Sequence, residues 1–179
     1  EYNFPENIVS MCYTTNGDLL VSTTNVIFSS TPDNKFHKIL EITGQVKTFF
    51  SDEGGITLSD TNLISFSLTG HTIWQKELVD INHITFSNNS LINYFIEDKR
   101  KLICQDRNGD ELWKYSSDDS PDNFSVTRSG LMTGLYSNNY FHVLDENGEQ
   151  AWSYYAREKV VDFSFSSFGG DVIVASENK

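Results

Sequence analysis

Short segments in which apolar and polar residues alternate run along the whole chain, separated by breaks rich in Gly, Asn, Asp and Ser. One group of four such segments lies at 81–87, 91–97, 101–106 and 111–116. A period of two residues places successive side chains on opposite faces of an extended strand, and the residues at the breaks favour turns. The pattern therefore predicts an all-β chain made of short strands.

Two sequence landmarks recur with one shared period. Trp74, Trp113 and Trp152 are spaced 39 residues apart. A second landmark, the small residue that ends an apolar strand, recurs at intervals of 36 to 40 residues. The residues of this second series are Gly17, Gly54, Ser90, Gly130 and Gly169. A repeat of about 40 residues is typical of stacked modules of four strands, so the sequence predicts a β-propeller of four-stranded antiparallel blades.

The period divides the chain into four complete blades and about half of a fifth. Their approximate ranges are 6–43, 44–79, 80–120, 121–159 and, for the partial blade, 160–179. The first blade lacks the tryptophan, and we expect Phe36, 38 residues before Trp74, to take its place. Because a ring of blades must close, we expect a fragment of a larger ring, or a chain that completes its ring by self-association or with a partner.

Asn-Gly dipeptides stand between the last two strands of two blades, at Asn108-Gly109 and Asn147-Gly148. Asn-Gly between alternating apolar runs is a strong hairpin signal, because a type I′ turn needs positive φ at both central residues. We therefore expect a type I′ turn and a tight antiparallel pair of strands at each of these positions.

Each tryptophan closes a similar phrase, with Gly four positions before Trp and, in two copies, Asp three positions before that Gly. The copy that ends at Trp74 has Ser67 in place of the Asp. The residues of the phrase are Gly70 and Trp74, then Asp106, Gly109 and Trp113, then Asp145, Gly148 and Trp152. This phrase resembles the tryptophan-docking repeat of the pyrroloquinoline-quinone-like β-propellers, which are WD40-like rings. The resemblance implies that the tryptophan packs between neighbouring blades and that Asp and Gly shape the hairpin before it. A large aromatic residue on an outer strand would also bury extensive apolar area against the next module, which supports the same structural role.

The family that this chain resembles includes quinone-dependent dehydrogenases and cofactor-free scaffolds, among them an outer-membrane assembly factor. A dehydrogenase of that kind needs a Ca²⁺ site and polar groups that converge on the quinone. The sequence shows no adjacent-cysteine pair, no dense carboxylate cluster at metal-ligand spacing and no nucleophile motif. We therefore expect a non-catalytic scaffold with no cofactor and no metal. The alternative is a quinoprotein-like or hydrolase-type propeller enzyme with its site at the central channel.

The net charge of −12 limits the choice of partner. A protein that binds nucleic acid or an anionic membrane needs a stripe of basic residues. The thirteen basic residues of this chain are scattered except for a short cluster at 99–101, so we expect neither as a partner. The longest apolar runs are a few residues, so we expect no membrane insertion. The expected partner is a protein or peptide. The family resemblance slightly favours an extracellular or cell-envelope location and leaves the cytoplasm open.

Two groups of residues are candidates for contact with that partner. The acidic run Asp118, Asp119 and Asp122 lies in an inter-module loop; it is either a solvated turn or a carboxylate lip that takes a cation or a basic segment. Adjacent aromatic residues on strands form the second group, because one member of each pair must point away from the other. Its candidate residues are Tyr94, Tyr140 and Tyr154. The alternative is that packing between blades absorbs both members of each pair.

Overall fold

The computed structural model of the chain describes residues 2–30, 33, 35–42, 44–51, 54–60, 62–77, 83–87, 92–96, 100–137, 139–166 and 170–177. Within these residues there are 18 strands and no helix, so the all-β prediction is confirmed. The described residues therefore contain no helix that is long and apolar enough to cross a membrane. The chain divides into two units, Glu1–Leu78 and Val79–Lys179.

The first unit holds two antiparallel sheets, each with four strands hydrogen-bonded in chain order. The first sheet contains β1 (Ile8–Tyr13), β2 (Leu19–Thr23), β3 (Val26–Ser30) and β4 (Phe36–Glu41). The second sheet contains β5 (Gln45–Ser51), β6 (Gly54–Ser59), β7 (Asn62–Ser67) and β8 (Thr72–Glu77).

The second unit holds two further sheets of the same order and a sheet of two strands. The third sheet contains β9 (Ile84–Phe86), β10 (Ile92–Ile96), β11 (Lys101–Gln105) and β12 (Glu111–Ser116). The fourth contains β13 (Asn123–Val126), β14 (Thr133–Ser137), β15 (Tyr140–Leu144) and β16 (Gln150–Tyr155), and the fifth contains β17 (Val160–Phe165) and β18 (Val172–Ser176). The landmark residues Ser90 and Gly169 lie outside the described residues.

Apolar side chains fill the space between successive sheets of one unit, because alternate residues of each strand point to the same face. In the first unit the buried residues are Ile27, Ile42, Ile64 and Phe66. In the second unit one cluster joins Leu102, Phe124, Leu135 and Leu144, and another joins Tyr136, Phe141, Val143, Ala156, Val160 and Phe163. Each described sheet therefore packs face to face on its neighbour within the unit.

The turns before the outer strands differ from the predicted type. Gly109 N donates to Asp106 O and Gly148 N donates to Asp145 O, each at 3.1 Å. These bonds make residues 107–108 and 146–147 the central pairs, and the glycine follows as the fourth residue, with φ of 88° at Gly109 and 77° at Gly148. The prediction of a type I′ turn centred on Asn-Gly was wrong. Asp at the first position and Gly at the fourth are typical of a type I turn, in which the glycine alone needs positive φ.

Phe36 does not take the place of the missing tryptophan. Its ring packs on Tyr2 and Phe4, with centroids 4.7 and 5.0 Å away. The residue that faces the next hairpin is Ile39, since a Cβ built on Gly70 would lie 2.2 Å from the Ile39 carbonyl oxygen. The cause is the position of a β-bulge, that is, of one extra residue in the fourth strand of each sheet. In β8, β12 and β16 the extra residue directly precedes the tryptophan, whereas in β4 the extra residue is Ile39.

Candidate functional site

In the hairpins that precede β12 and β16, hydrogen bonds run from the backbone to the side chain of one aspartate. Asp106 Oδ1 accepts from Asp110 N at 2.9 Å. Asp145 Oδ1 accepts from Glu149 N and from Asn147 N, both at 2.9 Å. These bonds, with that from Glu149 the strongest, keep the pKa of Asp145 below its ordinary value, because they favour the ionised carboxylate.

Ser67 stands at the equivalent position of the second sheet. Its Oγ accepts from His71 N at 3.2 Å, so the hydroxyl makes one of the bonds that the aspartates make. A hydroxyl oxygen can replace a carboxylate in this kind of turn, although it binds more weakly. The Ser in the first tryptophan-bearing copy therefore keeps the turn while losing the charge.

The three tryptophans have different surroundings. Trp113 lies against the hairpin of the next sheet, where a Cβ built on Gly148 would stand 2.6 Å from the ring. Trp74 is half-buried, and the Lys76 ammonium lies 5.7 Å from the centre of its ring. Trp152 is 42% exposed and leans on Phe141, with ring centroids 5.6 Å apart. Among the described contacts, the expected packing of a tryptophan between two neighbouring sheets is seen for Trp113.

Two tyrosines form an exposed pair on the third and fourth strands of the fourth sheet, β15 and β16. Tyr140 and Tyr155 are direct cross-strand neighbours, their ring centroids are 5.0 Å apart, and they are 50% and 57% exposed. Tyr140 also stacks on His142, with centroids 6.0 Å apart and an interplanar angle of 13°. The side chain of Gln150 holds His142 through a 2.9 Å contact between Oε1 and Nδ1. These contacts fix two aromatic rings at the surface.

A cavity of about 260 Å³ adjoins Tyr140 of this pair and brings it together with Asp118 and Asp119. Its remaining lining residues are Tyr115, Ser117, Ser137, His142 and Gln150. Burial, with the nearby Asp118 carboxylate, raises the pKa of the Tyr115 hydroxyl, so the phenol stays protonated and able to donate at neutral pH. We call Tyr140, Tyr155, Asp118 and Asp119 the tyrosine surface.

The other predicted contact residues lie elsewhere. Asp122 lines a separate cavity of about 140 Å³ together with Tyr136 and Lys159. Tyr154 is the cross-strand neighbour of Phe141 and therefore points to the opposite face of the fourth sheet from Tyr140. The backbone of Tyr94 lies in β10, but its side chain is outside the described part of the chain.

Tyr154 lines a larger cavity, of about 590 Å³, beside β16 and β18. We call this cavity the Trp152 groove, and its apolar lining is Phe141, Trp152, Tyr154, Ala156, Val172 and Val174. The groove was not predicted from the sequence, although it contains Trp152, the last tryptophan of the series.

The reactive side chains of the described residues are dispersed. Both cysteines are free; Cys12 is exposed, and burial raises the pKa of the Cys104 thiol to about 12. In the described ranges no three His, Cys, Asp or Glu residues are placed to hold a metal ion. At the tyrosine surface, Asp118 and Asp119 line one cavity together with Tyr140.

The chain has no match among models of protein families, and no curated protein matches it.

Proposed function

We propose that the four-stranded sheets are blades of a β-propeller of the pyrroloquinoline-quinone-like kind. Four sheets with strands in chain order support this proposal, because propeller blades have this topology. The contact between Trp113 and Gly148 also supports it, since the repeated phrase supplies both the ring on one sheet and the glycine on the next. A stack fastened in this way offers a rigid platform.

The function that we propose for this platform is that of a non-catalytic scaffold that binds a protein or peptide. The observation that carries the proposal is the exposed pair Tyr140 and Tyr155 on a regular sheet, in which Tyr140 lines one cavity with the carboxylates of Asp118 and Asp119. Tyrosine is enriched where proteins meet, because its ring buries much area at a small entropic cost. Asp118 and Asp119 favour a partner segment that contains Lys or Arg, whose cation can lie between a carboxylate and a ring.

The proposal is tested with peptides selected from a random display library against the intact chain. Variants Tyr140→Ala and Tyr155→Ala should each weaken binding of the selected peptides by about tenfold or more, as expected for aromatic anchors of an interface. Tyr13→Ala is the matched control, because Tyr13 is 70% exposed and lies in the other unit. Selected peptides that bind all three variants as tightly as the parent would contradict the proposed site.

A further inference from the structure

The cavity of about 260 Å³ at the tyrosine surface has an anionic lining. Its described lining residues include Asp118 and Asp119 but neither Lys nor Arg. The ion pairs of the described residues engage other carboxylates, so within this part of the chain no cation pairs with either aspartate. Both aspartates are also exposed. We call this cavity the Tyr140 cavity, and its charge favours a cationic ligand.

The rings of Tyr140 and His142 form an aromatic wall of the Tyr140 cavity. The two residues are separated by one position in β15, so their side chains stand on the same face of the strand. Their rings are nearly parallel, with an interplanar angle of 13°. Gln150 of β16 holds the imidazole through the 2.9 Å contact between Oε1 and Nδ1. A planar group can therefore stack on a wall that is already ordered in the folded chain.

The arrangement of the carboxylates favours an organic cation over a metal ion. A metal ion needs several ligand atoms that converge on one point. In the described ranges no three His, Cys, Asp or Glu residues are placed in that way. An organic cation needs hydrogen-bond acceptors and an apolar face for its carbon and nitrogen plane. The Tyr140 cavity supplies both, with the carboxylates of Asp118 and Asp119 and the ring of Tyr140.

Arginine matches this set of groups better than lysine does. The guanidinium is planar, presents its N–H donors in a fixed fork and stacks on aromatic faces, whereas the lysine ammonium is a compact and strongly hydrated charge. Two adjacent carboxylates can accept several donors of the fork at once. The hydroxyl groups of Ser117 and Ser137 line the same cavity and provide further acceptors.

We propose that the Tyr140 cavity binds the side chain of one arginine of the partner segment. The guanidinium donates hydrogen bonds to the carboxylates of Asp118 and Asp119, and its plane stacks on the ring of Tyr140. Tyr155, whose ring centroid lies 5.0 Å from that of Tyr140, contacts the partner residues beside the arginine. This inference rests on the proposed scaffold function and names the residue that anchors the partner.

The first experiment titrates the intact, isotope-labelled chain with N-acetyl-arginine amide and follows the backbone amides by NMR. N-acetyl-citrulline amide is the matched control, because it has the shape of arginine without the charge, and N-acetyl-lysine amide has the charge without the plane. We expect saturable shifts at 117–119 and 139–142 with arginine, binding weaker by about two- to fivefold with lysine, and none with citrulline. Equal binding of arginine and lysine, or shifts confined to other residues, would overturn the inference.

Variants of the chain locate the contact. Asp118→Asn and Asp119→Asn should each weaken arginine binding by about two- to fivefold, as loss of an exposed ion pair does. Tyr140→Leu should weaken it by a similar factor, because leucine keeps apolar bulk and loses the aromatic face. Asp171→Asn is the matched control, since Asp171 is exposed, belongs to the same unit and is not among the described lining residues. An equal loss with Asp171→Asn would mean that binding follows net charge, and the inference would fail.

Peptides selected on the intact chain separate this inference from the proposed function. In a peptide whose binding requires Tyr140 and Tyr155, replacement of the arginine by citrulline should weaken binding by about tenfold or more, as expected for an arginine anchor. Selected peptides that require both tyrosines and contain no such arginine overturn the inference and leave the scaffold standing. Saturable binding of the arginine amide, with selected peptides that bind the tyrosine variants as tightly as the parent, retains the arginine site and overturns the proposed function.

Discussion

The ring of Trp113 lies so close to Gly148 that a side chain has no room between them: a Cβ on Gly148 would stand 2.6 Å from Cδ2 of the indole. The two residues belong to successive copies of one phrase. The repeated phrase therefore supplies both members of this contact, the ring from one copy and the glycine from the next.

Replacement of Gly148 by Ala should destabilise the chain for two reasons. A left-handed backbone costs about 1–2 kcal/mol for a residue other than glycine, and the clash with Trp113 adds about 1–3 kcal/mol of overpacking. We expect Gly148→Ala to lower the free energy of unfolding by about 2–5 kcal/mol, measured by urea denaturation. Gly17→Ala is the control, because Gly17 also has positive φ but has no atom within 4 Å of its Cβ position. Equal losses for the two variants would show that the indole contact is unimportant.

Trp113→Ala should cost more stability than Trp152→Ala. The Trp113 ring is half-buried and covered by the next hairpin, whereas Trp152 is 42% exposed. We expect about 2–4 kcal/mol for Trp113→Ala and about 1–2 kcal/mol for Trp152→Ala, because the loss follows the apolar area that each ring buries. Denaturation curves of the two variants, followed by circular dichroism, test the order. A larger loss for Trp152→Ala would contradict the contacts described above.

The two thiols should differ in reactivity towards a disulfide reagent at pH 8. Only the thiolate reacts, and a pKa of about 12 leaves roughly one Cys104 in ten thousand ionised at this pH. Cys12 is exposed and free. We expect one equivalent of thiol to react in the folded chain and a second after addition of denaturant. Rapid reaction of both thiols in the folded chain would contradict this expectation and would show that the strand β11, which contains Cys104, opens readily.

Glu6 should make the stability of the first unit dependent on pH. Its carboxylate accepts hydrogen bonds from Asn25 Nδ2 at 2.9 Å, Asn25 N at 2.8 Å and Thr23 Oγ1 at 2.9 Å. These bonds, with that from the Asn25 side chain first, lower the pKa of Glu6 below its ordinary value. A lowered folded-state pKa stabilises the fold above about pH 4.5 and loses that effect as the pH falls through the folded pKa.

The corresponding variant is Glu6→Gln. We expect its melting temperature to lie below that of the parent at pH 7, and the difference to shrink as the pH falls below about 4.5 and through the lowered folded-state pKa, where the parent carboxylate also becomes neutral. A constant difference over the whole range would mean that the effect of Glu6 does not depend on its charge.

The strands and the repeated tryptophan phrase are predictable from the sequence because both depend on local pattern. Alternation predicts strands such as β11 and β12, and Asp followed by Gly predicts the position of the turn around Asp145. The turn type depends on which residue closes the hydrogen bond, and the dipeptide alone did not reveal that Gly148 follows the central pair instead of belonging to it.

Features that depend on distant residues were less accessible. The register of β4 places the bulge at Ile39, and this shift makes Ile39, instead of Phe36, face Gly70. The Trp152 groove requires the fourth sheet and β18 to be placed side by side. A periodic sequence indicates that modules stack, but the side chains that line a groove between two sheets follow from the packing of particular strands.

The most direct test of the central claim, that the chain is a non-catalytic scaffold, is its melting temperature in the presence of pyrroloquinoline quinone and Ca²⁺. A ligand that binds the folded state raises the melting temperature in a saturable manner. For a non-catalytic scaffold we expect no change with the quinone, with Ca²⁺ or with both together. A saturable rise of several degrees that requires both would contradict it and would favour the quinoprotein enzyme.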